Sequence, residues 1–311
     1  MYAMKIIPAF KDYIWGGNRL ESEYGFKSGF DKTAEAWILS CHADGDNIIE
    51  NGEYKGQTLR SLLALHPEYI KKGYKGDLPI LIKFIDAKDN LSVQVHPDEQ
   101  YAVTNENDHG KTEAWYILDA EEYAELFLGF KDVISKEQLR NAIENDTILE
   151  SVNKVKVKKG EIYYIPAGTM HAIGKGILIC EIQQNSNVTY RLYDYGRLQN
   201  GKKRPLHIDK AIDVLNFTPY NYDNYYDSSA SCANLVNCDI FILNRLNVNG
   251  EVLLYAGDES FASLVCGDGE GKIEINGEIT KIKKGDSFFI PAGTGEYKIS
   301  GNALIFETKI P

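Results

Sequence analysis

The chain has 311 residues, of which 43% are hydrophobic and 25% are charged. This composition is typical of a folded protein with a sizeable core, and the length suits two domains better than one. The formal net charge of -11 argues against nucleic acid or an anionic membrane as a partner, because both attract clusters of Lys and Arg.

Two further features bear on the cellular location. No apolar run approaches the ~20 residues that span a bilayer, and the first residues lack the apolar segment of a signal peptide. The five cysteines include no C-x-x-C pair, which indicates reduced thiols and argues against a zinc finger. We therefore expect a cytoplasmic protein without a membrane partner.

Hydrophobic periodicity predicts many short strands with a few helices between them. Ser135 and Gln138 have the spacing of a capping box, which marks the start of a helix. The other predicted helices span 58–66 and 208–217. The predicted strands include 79–85, 92–97, 115–118 and 177–183. We therefore expect a mainly β protein, a β-sandwich or barrel with a few added helices.

The predicted strand at 92–97 carries polar residues on one face. Side chains two residues apart on a strand point the same way, so Gln94 and His96 share a face. Lys111 and Glu113 share a face in the same manner just before the next predicted strand. An amide, an imidazole and a carboxylate offer the N and O atoms that zinc accepts.

A thirteen-residue segment occurs twice in the chain. Residues 157–169 and 282–294 are identical at eight positions, and each reads as a Lys-Gly-acid turn, a strand and a Pro-Ala-Gly turn. Such a repeat predicts two similar β domains. We expect a metal-binding domain with short helical additions at 1–225 and a second β domain at 226–311, joined by a linker near 220–232.

The two copies differ directly after the Pro-Ala-Gly turn. His171 follows the first turn, whereas Glu296 occupies the equivalent position after the second. A metal is therefore expected only in the first domain. Each polar residue alone is more often structural than a ligand, but together they favour a metal site with an open position. The candidate ligands are Gln94, His96, Glu113 and His171.

Two charged residues follow further along the chain. Glu181 lies on the apolar strand predicted at 177–183, where an acid is either paired or functional. Arg191 comes shortly after this strand. The alternatives for Arg191 are a surface cation and a residue that faces the substrate.

Four motifs occur in order over nearly the whole chain: Gln94-Val95-His96-Pro97, Lys111-Thr112-Glu113, Pro166–Ala172 and Asn185–Arg191. This order resembles the type I mannose-6-phosphate isomerases, and most closely their short bacterial form. The resemblance implies two cupin (jelly-roll) domains, the second degenerate and without metal. It implies an aldose–ketose isomerase that interconverts mannose 6-phosphate and fructose 6-phosphate through a cis-enediol.

The resemblance also implies roles for individual residues. One Zn2+ is expected on the four candidate ligands, with Gln94 either a direct ligand or the neighbour of one. Arg191 matches the catalytic arginine, and Lys111 and Glu181 match positions that line the active site. Glu181 is the preferred general base, because a buried carboxylate can be tuned towards neutral pH. Lys111 is the alternative, because a nearby metal disfavours its ammonium form.

The sequence departs from the resemblance in two places. Asn187 stands where many relatives have Asp, so a proton-handling role does not transfer to it. The chain is also too short for the helical insertion of larger members. The substrate's phosphate needs a local positive partner in so acidic a chain, and the candidates are Arg191, Lys111 and Arg197.

Two other functions remain open at this stage. A metal-dependent cupin dioxygenase would usually have more histidines than the two available here. A non-catalytic sugar-binding cupin would not need Lys111, Glu181 and Arg191, yet all three are present. The sequence leaves open the metal used in the cell, the oligomeric state and activity on other sugar phosphates.

Overall fold

The computed structural model describes residues 1–222 and 230–311 and confirms a mainly β protein. The helices are α1 (Arg19–Ser22), α2 (Leu59–Leu65), α3 (Glu99–Asn105), α4 (Lys136–Glu144), α5 (Ile148–Ser151) and α6 (Ile208–Val214), with a 3-10 turn at Pro67–Tyr69. The strands of the first half are β1 (Met4–Ile7), β2 (Ala9–Lys11), β3 (Glu35–Leu39), β4 (Ile48–Ile49), β5 (Ile80–Ala87), β6 (Val93–Val95), β7 (Glu113–Ala120), β8 (Glu125–Phe130) and β9 (Val152–Lys156). Those of the second half are β10 (Ile162–Ile165), β11 (His171–Ile173), β12 (Ile177–Gln184), β13 (Tyr190–Tyr193), β14 (Leu198–Gln199), β15 (Lys202–Lys203), β16 (Cys232–Asn237), β17 (Ile242–Ala256), β18 (Ala262–Ile275), β19 (Glu278–Lys283), β20 (Ser287–Ile290) and β21 (Gly295–Lys309).

The backbone groups into two compact units. One comprises Met1–Lys11, Arg19–Phe84 and the described residues after 229; the other comprises Asp12–Asn18 and 85–222. The predicted boundary between residues 225 and 226, and most of the predicted linker, lie outside the described residues. The N-terminal segments group with the C-terminal residues, whereas the predicted metal-binding domain of residues 1–225 includes them. The physical reason is β1, which pairs with β20 in an antiparallel sheet.

The unit containing residues 85–222 is built around a five-stranded sheet in the order β13-β6-β11-β8-β9. A second group of strands, β10-β7-β12, carries the segment around Glu113. On β6, Val93 and Val95 are fully buried in the hydrophobic core, so the polar residues between and after them face the other way. The alternation predicted for this strand therefore sets the orientation of the site.

Local signals predict the helix starts well. The capping box at Ser135 and Gln138 is present at the start of α4, and Thr58 accepts a bond from Ser61 N–H as the cap of α2. Helix α6 ends at Val214, three residues before the predicted end. It stops because the chain becomes extended and Asn216 N–H donates to the Gly168 carbonyl instead.

The other unit contains the long strands β17, β18 and β21, whose inward residues form a continuous hydrophobic core. The two copies of the repeat have matching turns. The Glu161 carboxylate accepts a bond from Lys158 N–H at 2.8 Å, and Asp286 accepts one from Lys283 N–H at 3.0 Å. Each Thr of the Pro-Ala-Gly turn donates its N–H to the Pro carbonyl at 3.2 Å.

None of the helices in the described part of the chain is long and apolar enough to cross a bilayer. All five cysteines are free thiols, as the absence of C-x-x-C pairs predicts.

Candidate metal and active site

Three predicted ligands meet in the unit of residues 85–222. His96 follows β6, Glu113 opens β7 and His171 opens β11. Each side chain is at most 1% exposed, and one ligand atom from each lies within 4.8 Å of the other two. Among residues 1–222 and 230–311, this is the group of His, Cys, Asp and Glu side chains whose spacing suits a metal ion.

The carboxylate of Glu113 lies between the two imidazoles. Its Oε1 is 3.3 Å from His171 Nε2, and its Oε2 is 3.6 Å from His96 Nε2. The His96 and His171 rings pack with their centroids 4.7 Å apart. We call these three side chains the His–Glu–His cage.

Backbone carbonyls fix the tautomer of both histidines. His96 Nδ1 lies 2.8 Å from the Val188 carbonyl oxygen, and His171 Nδ1 lies 2.9 Å from the Thr169 carbonyl oxygen. A carbonyl can only accept, so each Nδ1 carries the proton and donates it. Each Nε2 then presents a lone pair to the cage, which is the form of imidazole that binds metals.

Burial keeps His171 neutral. Desolvation, and then the positive charge of Lys111, lowers the pKa of this imidazole to about 3. The nearby carboxylate of Glu181 acts in the opposite direction but does not offset burial. The imidazole of His171 is therefore uncharged throughout the neutral pH range.

Lys111 reaches into the same cage. Its Nζ lies 2.8 Å from His96 Nε2 and 2.8 Å from Glu113 Oε2, and the residue is 4% exposed. The ammonium therefore donates to two of the three groups that a metal would use. A metal bound by these atoms competes directly with Lys111 for them.

Gln94 lies beside the cage and connects it to Arg191. In the sheet, Gln94 is directly opposite His171 on one side and Arg191 on the other. Its amide nitrogen is 3.4 Å from His171 Nε2, and its amide oxygen accepts a bond from Ser92 Oγ at 3.2 Å. Rotation of the amide by half a turn would exchange the positions of its nitrogen and oxygen. Only the hydrogen-bond network distinguishes these two orientations.

Arg191 continues the polar row away from the cage. Its Nε donates to Ser92 Oγ at 3.2 Å, and one terminal nitrogen donates to the Pro205 carbonyl at 2.9 Å. Burial, followed by the positive charge of Arg204, lowers the pKa of the Arg191 guanidinium. The structure thus connects the predicted arginine to the predicted ligands through Ser92 and Gln94.

Glu181 on β12 and Glu113 on β7 point to the same side of their sheet. Glu181 is paired with Trp115 in the register, and its Oε2 accepts a bond from the Trp115 indole at 3.0 Å. The Trp115 ring meets the His171 ring edge-on, with centroids 5.3 Å apart. Glu181 is 3% exposed, so it is a buried acid. It contacts Trp115, which in turn contacts His171 of the cage.

Three residues near this site were not predicted from the sequence: Trp115, Asp194 and Arg204. Trp115 had a usable signal, because it is two residues after Glu113 and therefore on the same strand face. Arg204 had one as well, because Asn200-Gly201 is a hairpin turn sequence that folds the chain back and brings Arg204 towards Asp194.

The cage suits a divalent metal ion on chemical grounds. It combines two neutral imidazole nitrogens with one carboxylate, a set that zinc and related divalent metals bind. The imidazoles are oriented by backbone carbonyls, as metal-bound histidines usually are. The donors are buried and converge on one point, so little rearrangement of the backbone is required.

Comparison with known proteins agrees with this site. The family model for the catalytic domain of type I phosphomannose isomerase matches residues 3–135, and that for the mannose-6-phosphate isomerase cupin domain matches residues 231–309. Mannose-6-phosphate isomerase ManA of Bacillus subtilis is 40% identical over 304 residues, which cover 95% of each chain. A mannose-6-phosphate isomerase of Streptococcus mutans is 39% identical over 296 residues, 94% of this chain and 93% of its own.

The fold is also similar to that of a solved structure. The crystal structure of the mannose 6-phosphate isomerase from Bacillus subtilis superposes with a TM-score of 0.92 at 36% identity, covering 99% of both chains. The cupin fold and the resemblance expected from the four motifs are therefore confirmed. On these findings, the chain belongs to the type I phosphomannose isomerase family of aldose–ketose isomerases.

Proposed function

We propose that this protein interconverts mannose 6-phosphate and fructose 6-phosphate, and that its cage holds one Zn2+. The main support is the convergence of two neutral imidazoles and one carboxylate within 4.8 Å, in a chain 40% identical to a mannose-6-phosphate isomerase. The proposed ligands are His96, Glu113 and His171, with Gln94 as the fourth. Neither a dioxygenase nor a non-catalytic binder has comparable support.

The reaction moves one proton between two carbons of the open-chain sugar phosphate. A base removes the proton from C2 of mannose 6-phosphate, a cis-enediol forms, and the proton is delivered to C1. The C2 hydroxyl proton passes to the C1 oxygen, which leaves the C2 carbonyl of fructose 6-phosphate. A bound metal would supply Lewis-acid stabilisation of the charge that develops on these oxygens.

The protein side chains would perform the remaining tasks. Arg191 would place a fixed positive charge near the same oxygens, where preorganised charge lowers the barrier most. The buried cage excludes bulk water, which strengthens this interaction. The backbone bonds of His96 and His171 hold both rings so that neither must reorient during the reaction.

Glu181 is the proposed general base, and a specific observation keeps Lys111 as the alternative. Lys111 Nζ contacts the cage directly, whereas Glu181 Oε2 accepts a bond from the Trp115 indole. Solvent deuterium exchange at C2 in Glu181→Gln and Lys111→Met separates the two. Exchange at the wild-type rate in Glu181→Gln would exclude Glu181 as the base.

A coupled assay for fructose 6-phosphate tests the function itself. We expect turnover of mannose 6-phosphate, loss of activity with a chelator and recovery with added Zn2+. Activity that is unchanged by metal removal and restoration would contradict the metal proposal. The cytoplasmic location and the metal-free character of the second domain remain predictions from the sequence.

A further inference from the structure

A cluster of arginines begins at Arg191 and extends away from the cage. It consists of Arg191, Arg197 and Arg204 around the carboxylate of Asp194. Both Arg197 and Arg204 donate to Asp194 Oδ1 at 2.5 Å, and Arg204 Nε donates to Asp194 Oδ2 at 2.7 Å. One carboxylate cannot balance three guanidiniums, so the cluster retains positive charge in a chain whose net charge is -11.

The arginines are held rigidly and are largely shielded from solvent. The side chains of Arg197 and Arg204 are 19% and 12% exposed, and Asp194 is 6% exposed. Arg197 also donates to the Asn90 carbonyl at 2.6 Å and lies over the Tyr195 ring. These contacts fix the guanidiniums before any ligand arrives, which reduces the entropy cost of binding.

The cluster retains hydrogen-bonding capacity for a ligand. Arg204 binds Asp194 through Nε and one terminal nitrogen, and its other terminal nitrogen donates to no protein atom among residues 1–222 and 230–311. A guanidinium has five N–H donors in a planar fork that matches two oxygens of a phosphate. The chemistry therefore suits a dianionic phosphate group.

The position of the cluster fits the other end of a sugar phosphate. Arg191 connects to the cage through Ser92 and Gln94, and it donates to the carbonyl of Pro205, which follows Arg204 in the chain. The two sites therefore lie at opposite ends of one polar row. In an open-chain sugar phosphate, the phosphate on C6 is likewise at the opposite end from C1 and C2.

We propose that Arg197 and Arg204, held in place by Asp194, bind the phosphate group of the substrate. This inference rests on the proposed isomerase function, and it removes Lys111 from the phosphate-binding candidates. Arg191 lies between the phosphate group and the reacting carbons. The arginine pair thereby selects phosphorylated over unphosphorylated sugars.

The test compares Arg204→Met and Arg197→Met with the zinc-loaded wild type. We expect the KM for mannose 6-phosphate to rise about 10-fold to 100-fold with kcat nearly unchanged, as expected for loss of a charged hydrogen bond. Turnover of unphosphorylated mannose should not change. Arg140→Met is the matched control, because Arg140 forms an exposed ion pair with Asp209 at 2.6 Å, and its KM should equal that of the wild type.

Calorimetric titration with inorganic phosphate separates this proposal from the isomerase function. Wild type and Arg140→Met should bind phosphate, and Arg204→Met should bind it at least about 10-fold more weakly, whether or not the protein isomerises mannose 6-phosphate. Equal phosphate binding by a folded Arg204→Met would overturn the proposal. If Arg204→Met does not fold, Arg204→Lys decides: it retains the charge but not the fork, and an unchanged KM and phosphate affinity would count against the proposal.

Discussion

The two copies of the repeat have the same turns but continue into different strands. After the first Pro-Ala-Gly turn, β11 begins at His171, which is 1% exposed and faces the cage. After the second, β21 begins at Gly295, one position earlier in the repeat. Glu296, the equivalent of His171, is exposed, whereas the next residue in both copies, Ala172 and Tyr297, is buried in the hydrophobic core.

This difference teaches that the turn alone does not create a metal site. Successive residues on a strand face opposite sides, so Ala172 and Tyr297 face the hydrophobic core while His171 and Glu296 face the other way. In the first copy that other face is covered, and the imidazole of His171 is buried there. In the second it is open to solvent at Glu296, while the Tyr297 hydroxyl donates to the buried Glu307 at 3.0 Å.

Exchanging the residues after the two turns should have the largest effect. In His171→Glu, a second carboxylate would replace the imidazole beside Glu113, and two buried like charges repel each other. We expect kcat/KM to fall by at least about 100-fold. Removing a proposed metal ligand should reduce activity more than removing a residue that only supports such a ligand. Metal content after dialysis, measured by mass spectrometry, should fall with it.

The reciprocal substitution is the control for this exchange. Glu296→His changes an exposed residue of the other unit, so metal content and kcat/KM should remain at wild-type values. A second bound zinc ion in Glu296→His would show that the turn itself favours a metal site, contrary to the comparison.

The glycines of the two turns should differ in their tolerance of a side chain. Both have positive φ, +83° at Gly168 and +75° at Gly293, which strains any other residue. A Cβ at Gly168 would lie 2.9 Å from the Val214 carbonyl oxygen, whereas one at Gly293 would lie 3.2 Å from the exposed side-chain carboxylate of Asp258.

We therefore expect Gly168→Ala to lower the free energy of unfolding by about 2 kcal/mol, and Gly293→Ala by about 1 kcal/mol. Urea unfolding measures both values. Gly168→Ala should also reduce activity, because Gly168 N–H donates to the His96 carbonyl at 2.9 Å. Equal losses of stability and activity in the two variants would contradict the difference drawn between the turns.

Each unit contains a buried acid that accepts a bond from an aromatic side chain. Trp115→Phe removes the indole donor to Glu181, and Tyr297→Phe removes the hydroxyl donor to Glu307. Each change should cost about 1–2 kcal/mol in thermal or urea unfolding. Only Trp115→Phe should lower kcat/KM, because its ring also contacts His171; an equal loss in Tyr297→Phe would refute this distinction.

The smallest expected effect is the change in stability with pH that His171 of the cage causes. The pKa of His171 is lowered from 6.5 to about 3 by burial, so the unfolded chain binds a proton there more readily than the folded chain. Stability from this residue is therefore fully present above about pH 6.5 and declines as the pH falls towards 3. Between about pH 7 and 5.5, we expect a loss of about 1 kcal/mol in metal-free protein. In urea unfolding, His171→Gln should weaken the dependence of the unfolding free energy on pH. An unchanged dependence would show that His171 is not its source.

Much of the site was predictable because its signals are local in sequence. The spacing of Gln94 and His96, and of Lys111 and Glu113, determines shared faces on short strands. The repeat also predicts the similar turns. In contrast, the carbonyl partners of His96 and His171 belong to backbone atoms that carry no sequence signal.

The remaining features depend on contacts between distant residues. The pairing of β1 with β20 joins the two ends of the chain and changes the expected grouping of the N-terminal residues. The bond from Asn216 to Gly168 ends α6 early for the same reason. By contrast, Arg204 reaches Asp194 through the short hairpin of β14 and β15, whose Asn200-Gly201 turn is a local signal.

The fixed tautomers of the two cage histidines determine the proton balance of metal uptake. Their protons already lie on the nitrogens that face the Val188 and Thr169 carbonyls, so neither imidazole has a proton to release. Metal binding usually displaces protons from its ligands and therefore weakens in acid. Here the Lys111 ammonium is the group beside the cage that holds displaceable protons. Metal binding should consequently displace Lys111 Nζ from His96 and Glu113 without removing a proton from either imidazole.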